Sequence, residues 1–117
     1  MIKVGQEKRA KYWGRFVVRQ VARLKRPVEC HSRDIGTAMF DPTIVKIEWD
    51  APPSDDKHEF WFPYWITISG KERYGQFAPM VGEKALLELF QDAIQQGFFS
   101  DEFLHGLQKA ITDKSDK

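Results

Sequence analysis

Through residues 12–26 the apolar positions recur with a helical period. Wound as a helix, Trp13, Phe16, Val17, Val21 and Leu24 fall within an arc of about 140°. Arg15, Arg19, Arg23 and Arg26 fall on the opposite side. Pro27 would end such a helix, and basic residues in its last turn suit the helix dipole. A strand competes, because Phe16, Val18, Ala22 and Leu24 also alternate and Val17, Val18 and Val21 are β-branched. Strict alternation would place Val17 and Val21 with the arginines, so the pattern favours an amphipathic helix.

Residues 27–42 read as irregular, with turns at Gly36 and at Asp41-Pro42 and a short strand near residues 27–31. Residues 43–49 alternate as a strand: Val45, Ile47 and Trp49 share one face, Lys46, Glu48 and Asp50 the other. A polar loop follows, and residues 58–69 then form an aromatic strand that Pro63 interrupts. Gly70-Lys71-Glu72 predicts a hairpin turn, and residues 73–78 a returning strand. Two helices close the chain. Residues 83–96 carry an apolar stripe of Leu86, Leu89, Phe90, Ala93 and Ile94, capped by Gly97. Ser100 is the N-cap of the next, with Asp101 and Glu102 in its first turn and Phe99 poised to staple against Leu104. Phe103, Leu107, Ala110 and Ile111 make its apolar face.

The expected fold class is α+β: an N-terminal amphipathic helix, an antiparallel meander of three to four strands, and two C-terminal helices packed on one sheet face. Residues 1–9 read as a flexible N-terminal segment, 10–112 as a single α+β domain and 113–117 as a frayed tail.

Composition narrows the class. The 117 residues are 42% hydrophobic and 14% aromatic, which supplies a core and excludes a disordered or collagen-like chain. The single cysteine, Cys30, excludes an intrachain disulfide scaffold. No run of apolar residues has the length of a membrane span or a signal peptide, so the expected setting is cytoplasmic and reducing.

Charge changes the picture more. A net charge of +1 conceals a split: residues 1–26 hold nine Lys or Arg and one acid, Glu7. Lys8, Arg9, Lys11, Arg15, Arg19, Arg23, Lys25 and Arg26 make a candidate cationic ridge for phosphate groups. Nucleic acid is the commonest such partner. A second candidate surface is the aromatic strand, where Trp61, Trp65 and Tyr74 could stack bases or anchor a protein partner.

Catalytic chemistry has little behind it. Cys30 and His31 are adjacent on an extended segment and point apart, so the imidazole is badly placed to activate the thiol. Histidines at 31, 58 and 105 show no metal-ligand spacing, and neither Gly70-Lys71 nor Gly82-Glu83-Lys84 has the pattern of a phosphate loop. Arg19-x-x-x-Arg23 is similar to the arginine pair of PilZ-type cyclic-dinucleotide receptors. Their second signature is missing, because Cys30-His-Ser32-Arg-Asp-Ile-Gly36 has the wrong first residue and one residue too many, so no family is assigned.

The sequence therefore predicts a small binding domain without catalytic residues, metal or cofactor. Its expected partner is nucleic acid or another polyanion held by the basic N-terminal helix. The alternative is a protein-interaction module that uses its aromatic sheet face, with the arginines docking an acidic partner.

Overall fold

The computed structural model describes residues 2–54, 59–74 and 79–115. Their contacts group into two compact units, Met1–Glu83 and Lys84–Lys117. The first is a single antiparallel sheet of eight strands: β1 (Glu7–Ala10), β2 (Gly14–Arg23), β3 (Val28–Ser32), β4 (Gly36–Trp49), β5 (Glu59–Trp61), β6 (Tyr64–Ile68), β7 (Lys71–Tyr74) and β8 (Met80–Gly82). The second holds the helices α1 (Glu83–Gln95, its first residue from the first unit) and α2 (Asp101–Ser115). The fold is thus mostly β, and the expected N-terminal helix is not formed.

A β-bulge explains that correction. β2 pairs antiparallel with β4, and its register shifts between Val18 and Gln20, leaving Arg19 as the extra residue. Ahead of the bulge Phe16 and Val18 face inward, opposite Trp49 and Ile47; beyond it Val21 faces inward, opposite Val45. Spacings of two and then three imitate a helical stripe while remaining a strand. The arginine that strict alternation could not accommodate sits in the bulge, on the outer face with Glu48.

The fourteen-residue β4 organises the sheet. Its second half pairs with β2 and β5, and its first half with β3 and β6. Asp41-Pro42, expected as a turn, lies in the middle of this strand. Pro42 is tolerated because its missing N–H faces the interval where the chain passes from β2 to β3, so no ladder bond is lost. The break expected at Pro63 is present and separates β5 from β6. Thr43 bridges it: its backbone N–H and its hydroxyl both donate to the Pro63 carbonyl, at 3.0 and 2.8 Å. The β6–β7 hairpin turns at Ser69-Gly70, and Lys71 and Glu72 already belong to β7. The part of the returning strand assigned to residues 75–78 lies outside the described residues.

The core is the inner face of this sheet. Ile2, Phe16, Val18, Val45, Ile47, Trp49, Trp61 and Trp65 are buried together. Phe16 is the hub, meeting Trp49 and Trp61 edge-on at 5.3 and 5.6 Å. The segment ahead of β1 contributes as well, since Ile2 is in the core and Gly5 N–H donates to the Val18 carbonyl at 2.8 Å.

In the helical unit, the sequence signals correspond to real caps. Gly97 takes a left-handed φ of 74°, its N–H donates to the Ile94 carbonyl, and Phe98 N–H donates to that of Ala93, closing α1 in a Schellman motif. Ser100 Oγ accepts the Phe103 N–H at 3.1 Å and caps α2. Phe99 lies against Phe103 and Phe90, with ring centroids 4.6 and 5.9 Å away. No residue of either helix is buried.

Candidate functional site

The β1–β2 hairpin collects the first cations. Its strands pair Lys8 with Phe16, Arg9 with Arg15 and Ala10 with Gly14. Because paired residues share a face, Lys8 and Ala10 lie on the inner, aromatic face, and Arg9 lies on the outer face directly opposite Arg15. Two like charges opposed in this way destabilise the hairpin slightly. Asp50 relieves the strain, with its carboxylate 3.5 Å from Arg15 Nε.

At the hairpin tip the backbone is held in an unusual form. Tyr12 adopts a positive φ of 75° and Gly14 one of 96°, a conformation that glycine accepts easily and a bulky residue does not. This turn leaves Tyr12 87% and Trp13 59% exposed, with Lys11 Nζ 5.2 Å from the Tyr12 ring centroid. Sequence reasoning missed both aromatics as site candidates by winding Trp13 into a helical stripe. The available signal was Lys11-Tyr12-Trp13-Gly14, a short turn ending in glycine between two alternating segments.

Across the sheet, Trp61, Trp65 and Tyr74 form an aromatic wall. The Tyr74 ring packs against Trp61 at 6.1 Å and Trp65 at 5.7 Å. The two indoles are almost fully buried, at 6% and 8% exposure, whereas Tyr74 is 48% exposed. Burial raises the Tyr74 phenol above its ordinary value; a hydrogen bond with Trp61 pulls the other way and Tyr64 adds to the rise.

These two sets meet. Lys8, Arg9, Lys11 and the wall of Trp61, Trp65 and Tyr74 line one open cavity of about 730 Å³. That volume is within the roughly 300–1,000 Å³ usual for small-molecule sites. A second cavity, of about 490 Å³, is lined by Trp13, Trp49, Pro53 and Glu59, and the Trp49 Nε1–H donates to the Glu59 carboxylate. Both cavities are also lined by Ala10 of β1 and Met80 of β8. The sheet thus curls until β1 and β8, the two ends of its main strand order, border the same openings.

The rest of the expected ridge is dispersed. β2 is ten residues long, about 30 Å at the usual rise, so Lys25 and Arg26 stand far from Lys8. Arg19 Nε is 2.7 Å from the Glu48 carboxylate. Arg23, carried to the inner face by the bulge, donates to the Ile2 carbonyl. Arg15, Arg19 and Arg23 therefore have local partners, and they do not form the continuous stripe that a helix would have made.

Other candidates stay apart. Cys30 is half-buried on β3, and the adjacent His31 has its Nδ1 3.3 Å from the Thr37 hydroxyl. His58 lies outside the described residues. Among the described residues no group of three or more His, Cys, Asp or Glu is placed to hold a metal ion, and no helix is long and apolar enough to cross a membrane. No protein-family model, curated protein or solved structure matches this chain, so its function is argued from its own residues.

Proposed function

We propose that this protein binds nucleic acid at the end of the curled sheet where the β1–β2 hairpin meets the aromatic wall. One observation carries the reading: three basic residues of the β1–β2 hairpin and four aromatic residues line the same open cavity. Among the described residues lining it there is no carboxylate, so its electrostatics favour an anion. The cations now invoked are Lys8, Arg9 and Lys11, with Arg15 beside them. The acidic-protein alternative is the weaker reading, since Trp61 and Trp65 offer a partner little exposed ring.

Anisotropy of a labelled oligonucleotide, titrated with the full chain at several salt concentrations, tests the proposal. Each phosphate contact contributes a slope of about −0.7 to −0.9 in log affinity against log salt, so three or four contacts predict about −2 to −4. Lys8→Glu with Lys11→Glu should abolish binding while tryptophan emission remains native. Absence of binding at low salt, or binding indifferent to salt, overturns the proposal. Heparin that competes mole for mole with the oligonucleotide would reduce the reading to general polyanion binding.

A further inference from the structure

We infer that the nucleic acid taken here is single-stranded, with one unpaired base stacked on Tyr74 and another on Trp13. The inference rests on the nucleic-acid reading above and adds which form is bound and where its bases go.

Tyr74 has the properties of a stacking platform. The tryptophans at 5.7 and 6.1 Å hold its ring in place, and about half of its surface remains open beside the larger cavity. A ring fixed in advance loses little freedom when a base settles on it. A phenol is uncharged at neutral pH, so the ring brings no negative charge toward a phosphate. Trp13 offers a second ring, more than half exposed, beside the smaller cavity.

The ground between the two rings suits a nucleotide chain. Ala10 and Met80 border both cavities, and Ala10 adds only a methyl group there. Lys8 on the inner face of β1 and Lys11 in the turn border the larger cavity, where their charge favours the phosphates of a bound strand. In the smaller cavity the Glu59 carboxylate repels phosphate, so a base rather than the backbone is the part that fits there. A duplex cannot use this arrangement. Its base faces are stacked inside the helix, and it presents only phosphates and groove edges. Concave, ring-lined sites select strands whose bases are free to leave the stack.

The test compares four ligands on the full chain under one low-salt condition: a thymidine oligonucleotide, the same length of duplex, an abasic strand of equal length, and thymidine monophosphate. The single strand should bind at least about fivefold tighter than the duplex or the abasic strand, as stacking of even one base implies. Tyr74→Ala and Trp13→Ala should each weaken it by about 5- to 150-fold, the range for losing one stacked base. Tyr74→Phe should restore affinity, which covers the case in which Tyr74→Ala unfolds. Trp13 is exposed at a hairpin tip, so its variant keeps the core.

Duplex or abasic strand equal to the single strand overturns the inference and leaves the salt-dependent polyanion reading intact. Thymidine monophosphate as tight as the oligonucleotide also overturns it, by making the cavity a free-nucleotide site. Failure of all four ligands to bind removes both readings together.

Discussion

Replacing Phe16 isolates the contribution of ring contacts to the core. The side chain is 2% exposed, and two tryptophans meet its ring edge-on at 5.3 and 5.6 Å. Truncation of a buried phenylalanine to alanine costs about 3–5 kcal/mol. Each edge-to-face contact is worth about 0.5–1.5 kcal/mol beyond the area buried, so the two together supply about 1–3 kcal/mol. Phe16→Leu keeps most of the apolar volume and forfeits those contacts, so it should cost about 1–3 kcal/mol and leave a folded protein. Urea unfolding followed by tryptophan emission is the assay. It reports on the sheet alone, because Trp13, Trp49, Trp61 and Trp65 all lie in the Met1–Glu83 unit. At a slope near 2 kcal/mol per molar urea, the leucine variant should lower the midpoint by about 0.5–1.5 M with the slope unchanged. Two results would refute the reasoning: leucine nearly as stable as phenylalanine beside a costly alanine, which assigns the effect to volume, or both below ~1 kcal/mol, which removes Phe16 from the core.

Three other outcomes follow from the geometry. Arg23→Ala should cost about 1–2 kcal/mol in the same urea assay, because the Ile2 carbonyl loses a charged donor, whereas Arg19→Ala, which breaks an exposed pair with Glu48, should cost under ~1 kcal/mol. Because the folded sheet raises the Tyr74 phenol above 10.0, its contribution to stability is complete below that pH and is lost as pH rises through the folded value. Phenolate absorbance should therefore show a titration above 10.0 that is missing from Tyr74→Phe. Ser100→Ala should cost α2 about 0.5–2 kcal/mol and appear as faster amide exchange at Phe103, the N–H that its hydroxyl caps.

The helices were legible because their signals are local. Gly97 and Ser100 lie within a few residues of the carbonyls and N–H groups they satisfy, so no distant contact was needed to recognise them. β2 was not legible, because its inward pattern depends on a bulge that exists only opposite β4. Asp41-Pro42 misled for a related reason: a proline reads as a turn unless the interval in the neighbouring strands is already known. The separate halves of the site were visible, with Lys8, Arg9 and Lys11 marked by charge and Trp61, Trp65 and Tyr74 by aromatic content. Their union was hidden. It requires the sheet to curl until β1 and β8 approach, and nothing in either segment encodes the other's position.

One consequence of the sheet's connectivity concerns how it comes apart. β2, β3, β5 and β6 all pair with β4, while β1, β7 and β8 each attach through one of those four. Nearly every ladder therefore traces back to one strand, and no lasting subset of the sheet excludes it. A fluctuation that frees β1 or β7 leaves the remainder intact, but releasing β4 removes the template from both sides at once. Amides of β4 can then exchange with solvent only through opening of the whole unit, at its full unfolding free energy. The peripheral β1, which carries Lys8 and Arg9, can open at a lower level, so the strand proposed to meet the ligand can adjust while the central strand stays closed.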